Sequence, residues 1–277
     1  MAKLEIFIAA HKPCEKFGDD AYRLLHVGAA RHPDVHIDGA VKDDDGLDNI
    51  SLKNDTYCEL TALYHIWKDI HDVDYTGLCH YRRFFVRKDT IVKNPNDIIL
   101  SQQEILTLLN DYDVIMAMPT PKTYGTGGFI TNPLDLPEQF FYRCILPSVK
   151  ALYPEYADAY AQEFFIPQLS CFNMMICSKA LFDQYCEWLF AILFDAEKRW
   201  NEWGIGVAPR EMGYISEFLL NTWVRHQGLK VCHKPVYLIE DSNKLGFKVH
   251  YTLSKLGLGC LNPVADKVYG KLKGKKS

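Results

Sequence analysis

The chain has 277 residues, 48% hydrophobic and 24% charged, enough for one large core or two small ones. A formal net charge of -4 and a pI near 6.2 offer no basic face of the kind that binds nucleic acid by releasing counterions. No stretch reaches the roughly 18 or more uninterrupted apolar residues of a membrane span, so one domain in the cytoplasm, with no nucleic-acid partner, is expected.

In chain order, Lys3 to Ala10 is an apolar, β-rich run that stops at His11-Lys12-Pro13, as a central strand does on leaving the sheet at its carboxyl end. The residues after such a strand sit at the rim where α/β proteins bind ligands. Val41 to Asp48 is a polar turn, continued by Asn49 to Asn54. A helix is predicted next: Thr56 and Glu59 have capping-box spacing, and Leu60, Leu63, Tyr64, Trp67 and Ile70 share one face. Thr76 to Cys79 reads as a short buried strand, from which His80-Tyr81-Arg82-Arg83 crosses the rim. Ser101 to Asn110 reads as a helix with a Ser101/Glu104 capping box, and Asp113 to Met118 as a strand. Pro119 to Pro137, rich in Gly and Pro, reads as a lid loop.

Helices are predicted around Glu138 to Tyr153 and Tyr156 to Phe164, then a strand at Cys171 to Cys177 and a helix from Lys179 to about Lys198. Glu211 to Gln227 is an amphipathic helix closed by Gly228, and Val231 to Ile239 is the last strand. This alternation implies an open, largely parallel α/β sheet. The domain is expected to end near residue 245. In the tail 246–277 the lysines at 267, 271, 273, 275 and 276 make either a solvated end or a weak contact with anionic lipid. The nine cysteines lie mostly in apolar runs without a CxxC pair, which reads as buried reduced thiols without a structural metal.

The strongest chemical signal is His80-Tyr81-Arg82-Arg83, an imidazole and two guanidiniums just past a buried strand. Adjacent arginines near a core call for anions, and the guanidinium fork matches phosphate oxygens two at a time, so a diphosphate is the expected ligand. The competing reading is an internal ion-pair network. Asp48-Asn49-Ile50-Ser51-Leu52-Lys53-Asn54 gathers amide, hydroxyl and ammonium groups at a helix start, suited to a polar or anionic ligand or simply to capping.

These blocks carry a resemblance. Ala10-His11-Lys12, Asp48-Asn49-Ile50-Ser51 with Asn54, Tyr57 to Tyr64, His80-Tyr81-Arg82-Arg83, Phe172-Asn173-Met174-Met175 and Arg210 to Glu217 resemble the ordered signature of a bacterial family, the domain of unknown function 4422, found among capsular and exopolysaccharide glycosyltransferases. The resemblance implies a GT-A-like fold with an open, mostly parallel Rossmann-like sheet, its donor half at about residues 1–120 and a helical acceptor half at about 121–245. It implies transfer of a hexose, galactofuranose or galactose among the candidates, from a UDP-sugar to a lipid-linked oligosaccharide or growing surface polysaccharide. Donor contacts would come from Ala10, His11, Lys12, Asn49, Ser51, Asn54, His80, Tyr81, Arg82 and Arg83.

GT-A enzymes usually hold the diphosphate through a cation on an Asp-x-Asp motif, and here His80 to Arg83 stand in its place. Asp72 and Asp74 precede their strand and fall at the wrong end of the sheet, whereas Asp43 and Asp45 are the alternative ligands for magnesium or manganese. The expectation is that no metal is required, with Arg82 and Arg83 neutralising the diphosphate directly. Inverting transfer needs a base: Glu217 is the first choice and Glu211 the second, against a reading of both as favourable charges near a helix N-terminus. His80 is a third catalytic candidate, and Asn173 and Tyr124 are candidate acceptor contacts. Rival functions are a nucleotide-sugar phosphohydrolase and a non-catalytic nucleotide- or carbohydrate-binding protein.

Overall fold

The run LEIFIAA forms β1 (Leu4–Ala10), buried at six of its seven positions, and β2 (Tyr22–His26) and β3 (Val41–Lys42) add to one side of it in parallel. The structure, a computed structural model, describes residues 2–90, 92–121 and 136–239. Tyr124, most of the expected lid and the basic tail lie outside the described residues. Two short helical pieces follow β3, a 3-10 turn at Ser51–Lys53 and α1 (Asn54–Tyr57), and then α2 (Leu60–Asp69). The chain returns through β4 (Tyr75–His80) on the other side of β1, again parallel, and turns back at once through β5 (Arg83–Phe85). Because β2 and β4 leave β1 in opposite directions, a crevice opens beyond the carboxyl ends of β1 and β4, the switch point where open α/β sheets take ligands.

The remaining elements are α3 (Gln102–Leu108), β6 (Val114–Ala117), β7 (Thr120–Pro121), α4 (Leu136–Leu152), α5 (Ala157–Glu163), β8 (Gln168–Leu169), β9 (Met175–Ser178), α6 (Lys179–Glu202), α7 (Glu211–His226), β10 (Val231–Lys234) and β11 (Val236–Leu238). The main sheet runs β10-β6-β9-β4-β1-β2-β3, with β5 on β4 and β11 on β5. Along that path only β9 is antiparallel to its neighbours. Strand alternation divides the core: Phe7 and Ala9 face α2, α6 and α7, while Leu4, Ile6 and Ile8 face the layer containing Ile105 of α3. The sheet is therefore open, mostly parallel and flanked by helices. The two parts of the chain expected to form donor and acceptor halves interlock in this sheet, because β9 and β10 come from the second half of the chain. No described helix is long and apolar enough to cross a membrane.

Four local expectations are corrected. The helix expected from Thr56 is interrupted at Cys58, whose φ is 51°. Thr56 Oγ1 donates to the Lys53 carbonyl (3.1 Å) instead of capping, which releases Glu59 for another task. The strand expected at Cys171 to Cys177 begins only at Met175, because Phe172 and Asn173 both take left-handed backbone (φ 79° and 52°). Asn173 therefore lies just before its strand instead of within it. The strand expected at Val231 to Ile239 is split at Pro235, which has no N–H for a ladder, into β10 on β6 and β11 on β5. The Ser101/Glu104 capping box forms in both directions.

Candidate active site

A cleft of about 640 Å³ occupies the switch point. The ends of β1 and β2 give it Ala9, His11 and Val27, and the end of β4 gives it His80, Tyr81, Arg82 and Arg83. The α1–α2 break adds Asn54, Asp55, Cys58 and Glu59, and the start of α7 adds Pro209, Arg210, Gly213, Tyr214 and Glu217, with Phe172 between. Gly213 permits this approach, since a Cβ there would stand 3.2 Å from Cys58 Cβ.

Of the residues expected from the sequence, His11, Asn54, His80, Tyr81, Arg82, Arg83 and Glu217 line the cleft. Ala10 is buried at the end of β1, and Lys12 is exposed with its Nζ 5.4 Å from the centre of the Tyr81 ring. Asn49, Ser51, Glu211 and Asn173 do not line it, and each has an internal task. Asn49 Oδ1 accepts from Ser51 N–H (3.2 Å) and its amide donates to the Gly46 carbonyl (2.8 Å). Ser51 Oγ donates to Asp43 (2.5 Å) and accepts from Ala30 N–H (3.0 Å). Glu211 accepts from Ala208 N–H (2.7 Å), tying down the entry to α7.

The alternative metal ligands are likewise engaged by hydrogen-bond donors. The buried Asp43 carboxylate accepts from Gly28 N–H (2.6 Å), Ala29 N–H (3.0 Å) and Ser51 Oγ, fixing the loop after β2, and Asp45 accepts from Lys42 N–H (2.9 Å). Asp72 and Asp74 lie at the opposite end of the sheet, where Asp74 accepts from Lys3 N–H (2.7 Å) and Asp72 pairs with Lys3 Nζ (3.2 Å).

Sequence reasoning gave Glu59 only a capping role and missed Arg210 as a cleft cation. Glu59 Oε1 accepts from Asn173 Nδ2 (2.7 Å), which also donates to the Gly213 carbonyl (2.9 Å), while Asn173 Oδ1 accepts from Ser216 Oγ (2.9 Å). Arg210 lies at the N-cap of α7 with φ 67°, its backbone N–H donating to the Asp55 carbonyl (2.7 Å) and its guanidinium 5.2 Å from the Tyr214 ring centre. No sequence signal marks a non-glycine residue for left-handed backbone. Cys58, Phe172, Asn173 and Arg210 are the described non-glycine residues with positive φ. Three line the cleft and Asn173 abuts it, the clustering of backbone strain expected at a functional site.

Phe172 and Asn173 work as a hub. The Phe172 carbonyl accepts from His80 Nε2 (2.7 Å), its N–H donates to Glu217 Oε1 (2.7 Å), and its ring lies 4.6 Å from the Arg83 guanidinium. Burial holds the His80 pKa below its ordinary value against the opposing charge of Glu59, leaving a neutral ring whose Nδ1 is an acceptor. Burial, then the neighbouring Arg82 charge, lowers that of Arg83, and Arg83 Nε is buried without a hydrogen-bond partner. Glu217 Oε2 is likewise buried and unpartnered. Burial, and next the Glu59 charge, push the Glu217 pKa up to about 8. The cleft thus sets an unpartnered guanidinium nitrogen, Arg83 Nε, in the same space as a carboxyl group made unusually basic.

Among solved structures, the chain is similar to the apo structure of WbbM, a bifunctional glycosyltransferase, at 27% identity and a TM-score of 0.71, covering 86% of this chain. It spans 45% of that protein's length. None of the curated proteins matches it. The model of one family, domain of unknown function DUF4422, matches residues 5–228, from β1 to the end of α7 and with every cleft residue inside it, and the chain belongs to that family.

Proposed function

We propose that the chain is a glycosyltransferase that moves a hexose from a UDP-sugar onto a lipid-linked oligosaccharide or growing surface polysaccharide. The observation that carries this reading is the presence, in one cleft at the switch point, of a half-buried arginine whose buried Nε has no partner and a buried carboxyl oxygen that also has none. A diphosphate supplies acceptors to Arg82 and Arg83, and Arg210 approaches from the far wall. Arginine forks bind phosphate oxygens as charge-assisted pairs, and they neutralise the charge that grows on the leaving nucleoside diphosphate. Likeness to a bifunctional glycosyltransferase across 86% of the chain supports the reaction class.

Glu217 then takes the proton from the acceptor hydroxyl. As that O–H bond breaks, the oxygen bonds to the anomeric carbon, and the electrons of the old glycosidic bond leave with UDP. A base titrating near working pH combines availability with proton affinity. The diphosphate is neutralised by the arginines without an obligatory metal. Galactofuranose and galactose are the proposed donor sugars, and the proposed place of work is the cytoplasmic side of the cell membrane, reached through the basic tail.

Calorimetric titration with UDP, with and without chelator, tests this reading. The parent is expected to bind in both conditions, and Arg82→Ala and Arg83→Ala are each expected to bind about 10- to 100-fold more weakly, the scale of a lost hydrogen bond to a charged group. Unchanged UDP affinity in both variants, or no transfer from any UDP-hexose to a lipid-linked acceptor, would remove the proposal.

A further inference from the structure

We infer that Glu59 is a positioning residue of this site: its carboxylate, held by Asn173, acts across the cleft on Glu217 and makes Glu217 the group there that takes up and releases a proton. The inference rests on the transferase reading for its purpose but on geometry for its content. Glu59 follows directly on the left-handed Cys58 and is fastened by an amide 114 residues away in sequence. That amide is 1% exposed, and both its polar atoms are engaged within the protein, so Glu59 is held from behind while lining the cleft. Glu217 is held just as firmly through Oε1, which leaves Oε2 buried and unpartnered.

The charged groups acting on Glu217 are Glu59 from the α1–α2 break, Arg83 from the end of β4 and Arg210 from the start of α7, with the Phe172 N–H as hydrogen-bond donor. The neutral His80 lines the same cleft. Burial and Glu59 favour the protonated acid, whereas the two arginines and the N–H favour the anion. Glu59 is thus the one protein charge in that set that strengthens the base. A protonated Glu217 spares an incoming diphosphate one repulsive charge. That proton must pass to solvent before Glu217 can take the acceptor's, so the base form is gained as pH rises toward about 8.

The test is carbon-13 NMR titration of glutamate-labelled full-length protein without ligand. In the parent, the Glu217 carboxyl is expected to titrate near pH 8. Glu59→Gln should lower the Glu217 midpoint by about one pH unit, the scale of a removed like charge, and Glu59→Asp should restore most of it. In a UDP-hexose transfer assay the rise of rate with pH should move with the same midpoint. A Glu217 midpoint in the ordinary carboxylate range, or one unmoved by Glu59→Gln, overturns the inference. If Glu59→Gln does not fold, Glu59→Ala is titrated in its place, and an unmoved Glu217 midpoint there overturns the inference. Coupled titration without sugar transfer would instead sink the transferase reading and leave the coupling standing.

Discussion

The two ends of the central sheet carry similar charges and handle them in opposite ways. At the amino end, Lys3 Nζ meets Asp72 at 3.2 Å and Glu5 at 3.6 Å, Lys3 N–H meets Asp74, and Arg23 meets Glu5 at 2.6 Å. These groups satisfy one another near solvent, where ion pairs contribute little to stability. At the carboxyl end Arg83 Nε and Glu217 Oε2 are buried without partners, and the surrounding backbone is strained at four non-glycine residues. An uncompensated buried polar atom costs about 1–3 kcal/mol. Keeping two of them at the rim of the cleft, while the charges at the other end are paired, supports the proposed ligand site there.

The largest break of this contrast is expected from Glu217→Gln, which keeps shape and removes basicity. Transfer should fall by roughly 100-fold or more with UDP affinity nearly unchanged, as measured by steady-state kinetics and calorimetry; full activity would move the base elsewhere. The same variant sharpens the energetic side. Glu217 titrates above its ordinary value, so the folded protein binds the proton more tightly than the unfolded chain. Its contribution is fully present below the ordinary carboxylate pKa and is lost as pH rises toward about 8. Melting curves should therefore show the parent losing stability between about pH 4.5 and 8, with a flatter profile in Glu217→Gln; parallel profiles would show that Glu217 is not held protonated.

Arg210→Ala is the next largest change, with UDP binding expected to weaken about tenfold, the lower end for a hydrogen bond to a charged group. An unchanged calorimetric constant would confine the phosphate site to the β4 side. Asp43→Asn should loosen the loop after β2 and lower UDP affinity severalfold, and manganese should not restore it; restoration would make Asp43 a metal ligand. The smallest effect is expected at the other end: Asp72→Asn should leave UDP affinity unchanged and shift stability by less than about 1 kcal/mol, the scale of a surface ion pair. A clear loss of binding there would show that the two ends are coupled.

What the sequence reveals of this site follows the range of the forces involved. β1, β4 and the Ser101 cap are visible because apolar runs and capping spacing are local, and Arg82 and Arg83 stand out because they follow a buried strand directly. β2, with a charged Arg23 inside YRLLH, has no clean pattern, and β5 is three residues long. Glu59 looks like a capping residue until Cys58 breaks the helix. Arg210 and Phe172 are legible only once the second half of the chain has folded against the first, since left-handed backbone at a non-glycine residue is imposed by tertiary packing.

The reversed direction of β9 has a consequence for how the molecule assembles. Among the described residues, β6, the last main-sheet strand before residue 120, pairs with β9 and β10 alone, and β9 is what joins it to β4. Residues 1–120 thus contain Arg82 and Arg83 but neither Arg210 nor a strand to bridge β4 to β6, and the side chains of His80 and Glu59 are held by Phe172 and Asn173 from beyond that span. During synthesis this first part must wait, incomplete, for some sixty further residues before its sheet closes, and closing contacts of such long sequence separation form slowly. A truncated early half would emerge as an open-edged sheet prone to self-association, so the binding surface and the chemistry mature in one event.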